Sequence, residues 1–118
     1  MAADSVKQKY RLPRDSVGTP IPVMTPDITH VVASAITTTS TAEAQIHDGT
    51  TDYIYRVWSL DCSAYVAIGA TGMAAASAAA GFFVPQDSSV DVHMPRTSNY
   101  MRAVAKSGSG IIRFERLI

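Results

Sequence analysis

Tyr53-Ile54-Tyr55-Arg56-Val57-Trp58-Ser59-Leu60-Asp61-Cys62-Ser63-Ala64-Tyr65-Val66-Ala67-Ile68 is the stretch that decides the fold. Residues 53–59 are mostly β-branched or aromatic, the types that pack well on a pleated, half-buried surface. A short polar break at Asp61-Cys62-Ser63 leads into a second apolar run, residues 64–68. Two such runs joined by so short a turn predict an antiparallel pair.

Working outward, the same grammar repeats. Residues 28–39 are rich in Val, Ile and Thr, and residues 42–47 form a weaker strand candidate. His47-Asp48-Gly49-Thr50 carries an Asp-Gly turn that delivers the chain into the strand at Tyr53. On the far side lie Gly81-Phe82-Phe83-Val84-Pro85 and Ser89-Val90-Asp91-Val92-His93-Met94. In the latter, Val90, Val92 and Met94 share one face while Asp91 and His93 take the other. Residues 100–106 and 111–118 flank Ser107-Gly108-Ser109-Gly110, read as a plain hairpin loop, with Ile112 and Phe114 facing the core and Arg113 and Glu115 facing solvent. Thr71–Ala80, six of whose ten residues are alanine, has high helix propensity but no apolar stripe. So short a helix is marginal alone, and the segment reads as a loop that at most contains a helical turn. Seven to eight short antiparallel strands separated by turns predict an all-β domain, a β-sandwich or jelly-roll-like barrel.

The bulk numbers fit one such domain. The chain has 118 residues, 47% of them apolar, and its 10 basic and 10 acidic side chains cancel to a net charge of +0. A chain of this length buries roughly two thirds of the surface its unfolded form exposes and needs no metal or disulfide to fold. Neutrality argues against a main role on nucleic acid and leaves little repulsion between copies. The single cysteine, Cys62, excludes an internal disulfide framework and reads as a small buried core residue. The first residues lack the apolar stretch of a signal peptide, and no run approaches the ~20 apolar residues of a membrane span. Assembly in a cytoplasm-like compartment is the expectation.

Residues 1–28 differ from the domain of residues 29–118. They hold Pro13, Pro20, Pro22 and Pro26, with Lys7, Lys9, Arg11 and Arg14 clustered early. Proline at this spacing blocks helix and favours an extended arm. A purely solvated tail rarely carries side chains such as Val17, Ile21, Val23, Met24 and Ile28. Arg11, Arg14, Val17, Ile21, Val23 and Met24 are therefore the candidate partner-binding residues.

The sequence offers no catalytic, cofactor or metal site. His30, His47 and His93 show no metal-ligand spacing and read as surface or strand histidines; Gly-x-Ser-x-Gly is absent. Neither Gly69-Ala70-Thr71-Gly72 nor the Ser-Gly-Ser-Gly loop has the context of a phosphate cradle. The carboxylates Asp48, Asp52, Asp61, Asp87 and Asp91 fall at turns or on polar strand faces. The enzyme hypothesis has no positive support, and the basic arm suits an acidic protein surface as well as it suits a nucleic acid.

A family likeness is carried by residues 55–69, which include Cys62-Ser63-Ala64-Tyr65-Val66-Ala67-Ile68-Gly69, by Phe83-Val84-Pro85, and by Ala103–Phe114 with its Ser-Gly-Ser-Gly turn. In this order they resemble small virion proteins of tailed bacteriophages, and among these the capsid decoration (cement) proteins. The resemblance implies a bacteriophage structural protein on the capsid surface, assembled in the host cytoplasm. It implies binding to the major capsid protein and to itself as a homo-oligomer, a dimer or trimer. Head–tail connectors and tail-associated β-domains are the alternative within the same class. A carbohydrate-binding β-module, with Trp58 and exposed tyrosines as sugar platforms, is the alternative from another class.

Overall fold

The computed structural model describes residues 24–118. It contains eight strands: β1 (Pro26–Ile36), β2 (Ala44–Gln45), β3 (Tyr53–Leu60), β4 (Ala64–Gly69), β5 (Phe82–Val84), β6 (Ser88–Met94), β7 (Tyr100–Ala105) and β8 (Gly110–Leu117). They form two four-stranded sheets, ordered β1-β8-β3-β6 and β2-β7-β4-β5, with every pairing antiparallel. The domain is all-β, as the alternation predicts. β1 begins at Pro26, so the last residues of the proline-rich segment already belong to the sheet.

The pairings nest. Ser34 pairs with Ile112, Ala44 with Met101, Val57 with Val90, and Ala64 with Val84. The described residues form one long antiparallel ribbon whose tip is the connection between β4 and β5. Rolling the ribbon brings β8 beside β3 and β7 beside β4, which closes the two sheets. This is the jelly-roll arrangement of eight strands.

The rolled ribbon corrects two local expectations. β3 and β4 do not pair with each other, and neither do β7 and β8; in each case the turn carries the chain from one sheet to the other. A tight reversal sets the chain direction but not the sheet, and facing sheets lie only about 10 Å apart. At the first of these corners Asp61 adopts a left-handed conformation (φ 69°), and its N–H donates to Asp87 Oδ1 at 3.0 Å. Asp87, itself left-handed (φ 54°), donates its N–H to the Ser59 carbonyl at 2.7 Å. At the second corner a Cβ on Gly110 would lie 2.1 Å from the Leu60 carbonyl oxygen. Only glycine lets β8 start so close to the end of β3.

Alternation then fills the core. Tyr55, Val57 and Ser59 of β3, with Ile112 and Phe114 of β8, are buried against Ala64 and Val66 of β4 and Met101, Ala103 and Ala105 of β7. Cys62 is buried beside them, as its small apolar character predicts. Ser59 satisfies its hydroxyl by donating to the Cys62 carbonyl.

The two flanks of the sandwich are finished differently. Past β1 the backbone runs on along β7, with Ala105 N–H donating to the Thr37 carbonyl and Thr41 N–H to the Ala103 carbonyl. Ile36 and Ile46 are buried on that side. On the other side β5 has three residues against seven in β6. The inward-facing Ile68, Phe82, Val90 and Val92 remain only partly covered.

Candidate interaction surfaces

Four features of the described residues can meet a partner or a ligand. On the outer face of the β1-β8-β3-β6 sheet, Trp58 stands half-buried beside Arg113, its partner across to β8. The indole N–H donates to Glu115 Oε1, and Arg113 Nε lies 3.7 Å from the other carboxylate oxygen. Trp58, Leu60, Arg113 and Glu115 line a shallow hollow of roughly 350 Å³. One step along, Arg56 donates to both oxygens of Asp91, through Nε at 3.0 Å and Nη2 at 3.4 Å. Its pKa is raised, first by that hydrogen bond and then by the charge of the carboxylate. An exposed pair of this kind contributes about 0–1 kcal/mol to stability, so its main effect is to keep this face hydrated.

The outer face of the β2-β7-β4-β5 sheet is more apolar. Phe83, Tyr65 and Val104 form a row across β5, β4 and β7. Phe83 is exposed and its ring centroid lies 5.5 Å from that of Tyr65. Lys106 Nζ sits 5.8 Å from the Phe83 centroid.

At one end of the sandwich, His47 is buried, which corrects its reading as a surface or strand histidine. The Asp-Gly turn beside it curls over the ring: Gly49, left-handed at φ 79°, donates its N–H to His47 Nδ1 at 3.1 Å. His47 stacks on Tyr55 (interplanar angle 9°) and meets Tyr53 edge-on, while Arg116 lies 3.8 Å over the Tyr53 ring. Its pKa is lowered, first by burial and also by the Arg116 charge, against the opposing pull of Asp48 and Asp52. Nδ1 is a hydrogen-bond acceptor here, so the neutral ring carries its proton on Nε2. His30 and His93, by contrast, are exposed on strands.

The fourth feature is the alanine-rich connection between β4 and β5, which contains no helix. It is drawn toward the closed flank. Gly72 and Met73 N–H groups donate to Glu43 Oε2, Ala76 N–H donates to Ser40 Oγ, and Arg102 donates to the carbonyls of Met73 and Thr41. Most of its alanines are exposed, so a helix here would bury no apolar stripe and gain little.

Of the sequence-predicted partner-binding residues, Arg11, Arg14, Val17, Ile21 and Val23 lie outside the described residues. Met24 stands exposed just before β1. Among the described residues no three His, Cys, Asp or Glu side chains converge as a metal site, and no helix is long and apolar enough to cross a membrane. The apolar row on the second sheet and the buried histidine were not singled out in the sequence. The alternation Tyr65, Ala67 against Val66, Ile68 held the signal for the first; both faces of that strand are apolar. Compared with protein-family models, with curated proteins and with solved structures, the chain matches none.

Proposed function

We propose that the chain is a structural protein of a virus particle, a capsid decoration protein that binds an assembled shell of major capsid protein and stabilises it as a homo-oligomer. The jelly roll is an architecture of viral capsid and lectin domains, and this fold-level analogy supports the reading without fixing it. The observation that carries it is the apolar row Phe83-Tyr65-Val104, displayed on an open sheet face where an extended partner surface can lie flat against it. Exposed aromatics flanked by a cation are typical anchors of protein interfaces. Many identical sites on a shell multiply such contacts by avidity.

Binding of the full chain to empty shells, followed by co-sedimentation, tests this directly. Phe83→Asp is expected to abolish co-sedimentation while leaving the fold intact; unchanged binding overturns the assignment of this face. Mass-spectrometric stoichiometry in purified particles separates a decoration protein, present in on the order of hundreds of copies, from a connector present in about a dozen. The second count favours the head–tail or tail-associated alternative.

The sugar-binding reading is favoured by the outward position of Trp58 in its hollow with Arg113 and Glu115. Titration with oligosaccharides while following Trp58 fluorescence decides it. A saturable shift supports a lectin-like site, and an unchanged spectrum removes it.

A further inference from the structure

We propose that β6 is a dimer interface: two copies pair their β6 strands antiparallel about a twofold axis at Val92, joining two four-stranded sheets into one. The proposal rests on the reading of the chain as a homo-oligomer and names the contact through which two copies meet.

The edge comes first. Among the described residues the two sheets have four outer strands, β1, β6, β2 and β5. β2 has two residues and β5 three, too few to hold a partner strand. β1 is long, but its register shifts between Pro26 and Val31. β6 is both long and regular, pairing with β3 residue for residue from Ser88 to Met94. Alternate residues of such an edge direct N–H and C=O groups away from the sheet, ready for a further strand. Edge strands are commonly protected by an inward-pointing charge, a proline or a bulge. Between Ser88 and Met94 there is none of these; the inward face is Ser88, Val90, Val92 and Met94.

Beside this edge part of the core is uncovered. Because β5 is so much shorter than β6, a groove of roughly 430 Å³ opens there, its lining including Ile68, Phe82, Val92 and His93. Ile68, Phe82, Val90 and Val92 pack on the core yet are only partly buried. A strand laid along β6 covers this strip with its own inward face.

The sequence of β6 selects a second copy as that strand. Residues directly opposite in a ladder share a face, so self-pairing sets inward residues against inward ones. Centred on Val92, the pairing places Asp91 opposite His93 of the second copy, and His93 opposite Asp91. Val92 meets its own equivalent, and Val90 meets Met94. Asp91 and His93 are exposed on the outer face, where Arg56 holds Asp91 and Asp52 lies 3.9 Å from His93. Other registers fit less well. Centred on Asp91, the strands set two carboxylates against each other. Centred on Val90, they leave Asp91 opposite Ser89 and the apolar Val92 opposite Ser88. Centred on His93, only Val92 to Met94 pair before Pro95, which has no N–H. The Val92 register answers each carboxylate with an imidazole and each apolar residue with another.

Full-length chains carrying one new cysteine each test the register under mild oxidation; native Cys62 is buried. Val92→Cys lies on the twofold axis and is expected to give a disulfide-linked dimer. Val90→Cys is expected to give none, because its two copies stand four residues apart along the ladder, about 14 Å. Mixing Asp91→Cys chains with His93→Cys chains is expected to give the 91–93 heterodimer. Equal linkage at positions 90 and 92, or no linkage at 92 or between 91 and 93, overturns the proposal. Analytical ultracentrifugation reads the same contact without a cross-link. His93→Asp, an exposed change, is expected to weaken dimerisation about tenfold, since it sets carboxylates opposite each other twice. Adding Asp91→Lys is expected to restore it, each lysine then facing an aspartate. A strictly monomeric wild type, unchanged association in His93→Asp, or no recovery in the double variant overturns the proposal. Dimers without shell binding would defeat only the decoration reading, and shell binding by a strict monomer would defeat only the β6 pairing.

Discussion

The two flanks of this sandwich enclose the same core in opposite ways. Along β1 and β2 the chain seals itself: residues 37–41 follow β7, Ile36 and Ile46 are buried, and the alanine-rich connection is pulled in by Glu43 and Arg102. Along β5 and β6 the core reaches the surface as a strip of half-covered valine, isoleucine and phenylalanine. A chain able to seal one flank so fully could have sealed the other with a longer β5. The contrast teaches that close packing is concentrated on one side, while the other leaves part of the core at the surface.

The sharpest way to break that contrast is to truncate one residue on each flank. Ile36→Ala should cost about 2–5 kcal/mol in chemical denaturation, because it leaves a cavity the packed flank cannot collapse into. Val92→Ala should cost about 1 kcal/mol or less in the isolated domain, since its side chain is already partly solvated. Equal losses would mean the open flank is as well packed as the sealed one.

A second effect concerns the sealed end. His47 has a pKa below the ordinary 6.5, and a base with a lowered folded pKa favours folding in its neutral form. Its contribution is fully present above the unfolded value and falls away as pH drops from there toward the folded pKa. Protonating Nδ1 also breaks the Gly49 hydrogen bond and sets a cation beside Arg116. Denaturation midpoints should therefore decline below about pH 6.5 in the wild type and less steeply in His47→Gln.

Smaller again is Arg102→Ala, which removes the donor to the Met73 carbonyl of the alanine-rich connection and the donor to the Thr41 carbonyl beside β7. It should cost about 1 kcal/mol and raise amide hydrogen exchange in residues 71–80 without altering exchange in β6. The least effect is expected at Asp27, held down to about 2 by hydrogen bonds from Thr29 and then His30. Its folded pKa is depressed, so its contribution is present above 3.8 and lost only as pH falls toward 2. Because the cluster is exposed, Asp27→Asn should move the melting temperature at neutral pH barely at all.

Each strand was legible because its apolar residues alternate or its β-branched residues cluster, signals local to a few positions. The pairing was not. Asp61-Cys62-Ser63 and Ser107-Gly108-Ser109 look like hairpin turns, and nothing within them states whether the returning strand joins the same sheet or the facing one. That choice is made by distant partners, such as Ser34 with Ile112. Gly110 held a trace of it, since a glycine at the start of a strand permits the close approach to Leu60. His47 was misread for a related reason: the Asp-Gly turn marks surface, yet here it folds over the ring and buries it.

The nested pairing also sets an order of events in time. Among the described strands only β4 and β5 are joined by a loop that pairs its own flanking strands, so the ribbon can zip from that tip, each closed pair shortening the search for the next. A topology so dominated by distant partners folds on the slow side, in milliseconds to seconds. β1 with β8 is the outermost rung and the last to close. Thr25 extends that rung through its two backbone hydrogen bonds with Ile118, so these bonds are also among the last to form. An incompletely rolled chain therefore lacks its outermost strand pair and leaves the outer edge of β8 uncovered.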